Sequence, residues 1–155
     1  MDIRQIQLQC IEQENTLQFS SFSQTQALEL GTRLYETSRR FPSPAAIEIR
    51  INHLPVFSFY PDGTNANNTL WLRAKANTVD MLQQSSLRYW ADVQLTGKTP
   101  DERRMPEKEF ACCGGGFPLT VKNIGVIGTI CVSGLPHTQD HQVIIDTLRE
   151  YLKES

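Results

Sequence analysis

Cys112-Cys113-Gly114-Gly115-Gly116-Phe117-Pro118-Leu119, with its partner Ile127-Gly128-Thr129-Ile130-Cys131-Val132-Ser133-Gly134-Leu135-Pro136-His137, decides the fold. Two apolar runs face each other across a short Lys122-Asn123 turn. The second run then passes through Ser133-Gly134 into a helix beginning near Thr138. That is a hairpin feeding a helix. Glycines at 114 to 116, 125 and 128 leave much of it without side chains, which weakens a strand unless backbone or ligand must come close. The hairpin is therefore expected to border a pocket or a tight protein contact.

Upstream, Ile47, Ile49 and Ile51 alternate with Glu48, Arg50 and Asn52, the period of a strand with one wet face. Leu54 to Tyr60 is a second apolar run, and Asn52-His53 suits the tight turn of another hairpin. Helices are expected around these hairpins. Residues 2 to 14 carry Ile3, Ile6, Cys10 and Ile11 at helical spacing, a short amphipathic helix that packs on the body or on a neighbouring subunit. Leu17-Gln18-Phe19 alternates briefly. Ser23 to Gln26 has the form of a capping box opening a helix over about 24–39, with Ala27, Leu30, Leu34 and Tyr35 inward and Gly31 permitting close approach. Pro42 and Pro44 prevent its continuation.

A third helix is expected from about 68 to 87, its stripe formed by Leu72, Ala76 or Lys75, Val79, Leu82 and Ser86, with Met81 at the edge. Residues 96 to 109 are polar, carry two prolines and hold one helical turn from Thr99; they read as a solvated connection, or as a lid over the glycines. The last helix covers about 139–152, with Val143, Ile144, Thr147, Leu148, Tyr151 and Leu152 inward. The order indicates one α+β domain over 1–155, a profilin-like three-layer α/β/α sandwich with a largely antiparallel five-stranded sheet.

Composition narrows the function classes. At 155 residues the chain can bury roughly 70% of its unfolded surface without staples. It has no apolar run of membrane-spanning length and no leader-like start, so a cytoplasmic location is expected. A net charge of -2 lacks the positive excess that phosphate backbones attract, which argues against nucleic acid as a partner. Cys10, Cys112, Cys113 and Cys131 form no C-x-x-C pair and no zinc spacing, and read as free packing thiols.

No catalytic set stands out. The glycine run is neither a Walker loop nor G-x-G-x-x-G, so it either packs closely or lines a ligand. Ser133-Gly134 ahead of the last helix offers amides to an anion, a position that Asp140 is placed to fill itself. His137 and His141 are four apart, yet Pro136 and the missing zinc-protease Glu count against a metal pair. His53 falls at a turn and is expected to be exposed. A Ser133-His141-Asp140 triad fails because adjacent helical residues diverge by about 100°. Lys75, flanked by Arg73, Asn77 and Ser85-Ser86, either snorkels into water or brings a positive charge near the hairpin. Trp71 and Trp90 add amphipathic area suited to an interface.

Taken together, Trp71-x-x-x-Lys75-x-Asn77-Thr78-Val79, Ser85-Ser86, Gly114 to Leu119, Gly125 to Ile130, and Val132 to His137 followed by Asp140-His141 resemble the GlcG/HbpS-like, haem-degrading-domain family. That family includes the PduO C-terminal-like domains, and the likeness is to its uncharacterised UPF branch, over about 12–152. The resemblance implies a homo-oligomer, at least a dimer, that takes a small ligand or a protein partner, with haem or a corrinoid as the possible cofactor. It carries over Lys75, Ser86, Gly114, Gly115, Gly116, Ser133, Asp140 and His141 as candidate ligand-binding residues. Three readings follow: a ligand-binding or accessory protein without catalysis, a weak haem-degrading or redox protein, and a structural partner using an exposed Trp90 and Met105.

Overall fold

The computed structural model of the chain describes residues 1 to 154. Its elements are α1 (Ile3–Thr16), α2 (Gln24–Ser38), β1 (Ala46–Ile51), β2 (Leu54–Phe59), α3 (Ala66–Leu82), α4 (Ser86–Thr96), β3 (Gly116–Val121), β4 (Gly125–Ser133) and α5 (His137–Lys153). The sheet runs β2-β1-β4-β3 with every pairing antiparallel. Asn52 and His53 both take positive φ, as a two-residue turn twisting with its strands requires.

The sheet has four strands, where five were expected. Leu17-Gln18-Phe19 supplies a single parallel bridge from Phe19 to Val121, because Leu17 still caps α1 and Ser23 already caps α2. Phe19 N–H donates to Thr120 O and Lys122 N–H to Phe19 O, so the outer edge of β3 is covered without a fifth strand.

Alternation along the strands separates two faces. Ile47, Ile49, Phe117, Leu119, Ile130 and Val132 point toward α2 and α5, where Leu30, Leu34, Val143, Ile144 and Leu148 complete a fully buried apolar core. The opposite face presents Ala46 and Cys131 to Leu72 and Ala76 of α3. Close approach occurs on both sides. A Cβ on Gly31 would fall 2.3 Å from the Phe57 ring, so the close approach expected at Gly31 is that of α2 onto β2. Beyond α3, α4 carries α1 against it. Glu14 of α1 accepts from the Ser85 N–H and hydroxyl and from Arg88, tying α1 to the α4 N-terminus.

Four local expectations need correction. The helix anticipated over 68–87 is two helices, because Gln83 adopts a left-handed conformation (φ 56°) and Ser85 opens α4 by accepting the Arg88 N–H. Cys112 and Cys113 precede β3 instead of lying in it. Helix α5 starts at His137, since Pro136 holds the extended conformation of the residue before a helix and has no N–H to lose. Met105, expected to be exposed, is buried beneath the 99–105 turn. No helix among the described residues is long and apolar enough to cross a membrane.

Candidate functional site

The glycine run and the start of α5 meet the flank of α3 around a cavity of about 390 Å³. Its walls include Asn67, Asn68, Trp71 and Lys75 of α3, Cys113, and the Ser133 to Asp140 corner. Lys75 lies at its base. The side chain is 3% exposed, and its ammonium donates to Val132 O at 2.8 Å and to Asp140 Oδ2 at 2.9 Å. The snorkelling alternative is therefore set aside. A helix-edge Lys turns inward here because Gly115 has no side chain: a Cβ at that position would meet Lys75 Nζ and Val132 O, each at 2.6 Å. Gly115 also holds φ +119°, which L side chains rarely adopt.

Asp140 occupies the amide-rich corner that the sequence offered to an anion. Its Oδ1 accepts the Leu135 N–H at 3.0 Å, Gly134 contributes a further backbone hydrogen bond, and Oδ2 takes the Lys75 proton donor. Burial raises the Asp140 carboxyl above its ordinary value, and Lys75 with the two backbone donors works against that rise. The carboxylate is thus already a ligand of its own protein. With two bonds made, the ammonium of Lys75 retains one N–H of its three.

His137 faces the same cavity. Its Nδ1 accepts the Gly114 N–H at 2.9 Å, and its ring meets Trp90 edge-on at 5.1 Å. Burial, with Lys75 nearby, lowers its pKa, so the ring stays neutral. Gly114 is needed for this contact, since a Cβ there would approach His137 O to 2.5 Å. Ser86 clamps the next residue: its hydroxyl accepts the Gly116 N–H at 2.9 Å. Ser133 contributes its carbonyl, which accepts from Asn68 Nδ2 at 3.1 Å.

Of the eight residues named in advance, Lys75, Ser133 and Asp140 line this cavity; Gly115 packs directly behind Lys75 and Asp140 and Gly114 beside His137, while Gly116, held by Ser86, lies outside the lining. His141 is placed elsewhere. It lies buried against Phe117, with Nε2 bonded to Gln13 of α1 at 2.7 Å, beside a separate cavity of about 230 Å³ under α1. Burial drives its pKa down to about 3. The i, i+4 histidine pair consequently serves two different sites. His137, Asn67, Trp71 and Cys113 were not among the carried-over residues. The signal that would have found His137 is Pro136, which starts the helix and so fixes the ring beside the glycines.

The remaining titratable candidates stay apart. His53 is exposed and pairs with Asp80 at 3.2 Å. Burial pushes the Cys10 and Cys131 thiols up to about 12 and Cys112 up to about 11, and raises Cys113 as well, so none is poised as a thiolate. All four are free, and no group of three potential metal ligands occurs among the described residues.

Comparison with known proteins places this arrangement among relatives. The profile of the family described as haem degrading protein HbpS-like matches residues 22–149. A UPF0303 protein of Paraburkholderia xenovorans is 39% identical over 141 residues, covering 90% of this chain and 86% of the relative. One from Yersinia enterocolitica is 34% identical over 153 residues, covering 98% and 91%. Among solved structures, that of Ybr137w superposes with a TM-score of 0.87 at 24% identity, covering 96% of this chain and 88% of the other. A PduOC:heme complex gives 0.70 at 19% identity, covering 83% and 94%. HbpS gives 0.66 at 15% identity, covering 87% and 92%.

Proposed function

The chain belongs to the HbpS-like family, within its uncharacterised UPF0303 members, and from that premise we propose that it is a small-ligand-binding or accessory protein without a catalytic role. The observation that carries this reading is the cavity around Lys75, His137 and Asp140. Its strongest groups, Lys75 and Asp140, neutralise each other instead of standing ready to move a proton. In this reading the whole chain is one domain in the cytoplasm, as element order and composition suggest, and assembles at least as a homodimer, as the resemblance implies.

A second reading, haem or corrinoid binding with weak haem-degrading or redox activity, draws on the solved complex of PduOC with heme. The residues present do not fit an iron ligand in this cavity. His137 Nδ1 is held by an N–H donor, His141 is bonded to Gln13 outside it, and burial disfavours the Cys113 thiolate. A structural-partner role loses Met105, which is buried, and most of Trp90, which packs on His137.

Titration of ferric haem, then a corrinoid, into purified protein tests these readings, with absorbance and light scattering recorded together. A defined oligomer, with any tetrapyrrole binding free of an axially ligated spectrum, is the expected result. Turnover of either tetrapyrrole that is lost on changing Lys75 would overturn the non-catalytic reading.

A further inference from the structure

The inner cavity is continuous in its lining with a second, of about 250 Å³, because Asn67 and Trp71 border both. Trp71 is the ridge between two lobes. The outer lobe is lined by exposed Leu70, by Ala74 and by the Glu107-Lys108 pair of the long connection. Half-exposed aromatic and aliphatic surface of this kind accepts a flat apolar body by stacking.

The inner lobe has the opposite character, and its polarity has a sign. Each oxygen of Asp140 already accepts a bond, one from Leu135 N–H and the other from Lys75. The Ser133 carbonyl accepts from Asn68, and the Val132 carbonyl from Lys75. Of the groups these bonds hold in place, two keep a free donor, while the Asn67 amide can offer either of its ends. Lys75 keeps its third N–H, and His137 keeps Nε2–H. The His137 assignment follows from one bond: Gly114 N–H donates to Nδ1, so a neutral imidazole must carry its proton on Nε2. An imidazole that ligates a metal shows the reverse pattern, its second nitrogen giving an N–H to a carbonyl or carboxylate.

We infer that the two lobes together recognise an oxygen acid, a carboxylate or a carbonyl carried on a flat apolar body, through hydrogen bonds from His137 and Lys75 and stacking on Trp71, with no ligand bond to a metal. This deepens the ligand-binding reading of the same cavity and rests on it. His137 is here a specificity-determining residue, and Gly114 sets its polarity. Carboxylate-bearing tetrapyrroles and smaller aromatic acids share this chemistry, and the experiment separates them.

The test uses the full chain and calorimetric titration with 1-naphthoate, 1-naphthylmethylamine, ferric haem and metal-free protoporphyrin. Naphthoate should bind saturably and more tightly than the amine by about tenfold or more, the weight of one hydrogen bond to a charged acceptor. Protoporphyrin should bind as well as haem if tetrapyrroles are the source of the acid, and neither should bind if smaller acids are. His137→Phe keeps the ring and removes the N–H, and should lose about tenfold in naphthoate affinity, while His137→Gln, which restores a donor, should recover part of it. Trp71→Ala, at an exposed position, should weaken binding without unfolding the chain. Equal or tighter binding of the amine, an unchanged His137→Phe affinity, or a clear preference for haem over its metal-free form would overturn the inference while leaving a ligand cavity in place. If none of the four probes binds, the ligand-binding reading falls with it.

Discussion

The two faces of the sheet are built by different rules. Toward α2 and α5, the inward side chains of the strands are aliphatic or aromatic, fully enclosed in β1, β3 and most of β4 and partly so in β2, and their contacts are interchangeable in kind. Toward α3, the sheet presents Ala46, Glu48, Arg50, Thr129, Cys131 and Gly116, and the buried partners include Lys75, Ser86 and Thr78. Glu48 and Arg50 pair at 2.6 Å on this face. Hydrophobic burial needs no direction, whereas each polar group here needs a particular partner at a particular distance. The first face supplies stability that survives small changes. The second trades some of that for a cavity whose groups are fixed in orientation.

The sharpest way to break this contrast is at Lys75. Lys75→Ala leaves Asp140 buried beside two amides but without its cation, and removal of one partner from a buried pair costs about 3–5 kcal/mol. Denaturant unfolding should show that loss. The double change Lys75→Met with Asp140→Leu should recover much of it, because both charges then leave together. Failure of the double variant to recover would mean that the pair's backbone bonds, to Val132 and Leu135, carry more of the stability than the charges do. On the other face, Leu148→Ala should cost about 3 kcal/mol through cavity formation and leave naphthoate affinity unchanged. A change in affinity from Leu148→Ala would show that the faces are coupled.

These differences also explain what could be read from the chain beforehand. The apolar face was legible because its period is carried by many residues: Ile47, Ile49, Ile51 and the stripes of α2 and α5 all agree. Both hairpins and the Ser23 capping box were legible for the same reason, each having several concordant signals. The polar face was legible only as a list of members. Lys75, Asp140 and the glycines came together, yet His141 was assigned to them and His137 was not, because the helix was expected to begin near Thr138 and so left His137 outside it, whereas α5 begins at His137. Helix α4 was missed because its break at Gln83 has neither Gly nor Pro to mark it. Five strands were expected, and the brief alternation of Leu17-Gln18-Phe19 supplies only one bridge.

Acidification sharpens the contrast from another side. His141 projects from α5 toward Phe117 and α1, faces Gln13, and has the titratable His137 and the charged Arg149 as neighbours. Its folded pKa is depressed from 6.5 to about 3, so the unfolded chain takes up a proton that the folded chain refuses. Its contribution is complete above pH 6.5 and is lost as pH falls toward 3. By pH 5 the loss should reach about 2 kcal/mol, at 1.36 kcal/mol per unit. His137, also depressed, adds with the same sign. Unfolding at pH 7 and pH 5 should therefore differ, and His141→Gln should remove most of that difference. A pH dependence that persists undiminished in the variant would move its origin to the carboxylates.

The smallest stability effect is expected one turn away from the largest. Trp71 and Lys75 lie four residues apart on α3 and line the same cavity, yet Trp71 is 46% exposed and Lys75 is 3% exposed. Trp71 makes no hydrogen bond among those the structure shows in this cavity, and its ring edges open space on both sides. Trp71→Ala should consequently shift stability by no more than about 0.5 kcal/mol, the range for surface positions away from caps and networks. Its effect on naphthoate binding should be several times larger than that. A helix stripe whose one member governs folding and whose neighbour governs binding is what a site built on a rigid element predicts. If Trp71→Ala instead destabilised the chain as Lys75→Ala does, the ring would be part of the packed face, and the cavity would be a gap in the core, not a place for a ligand.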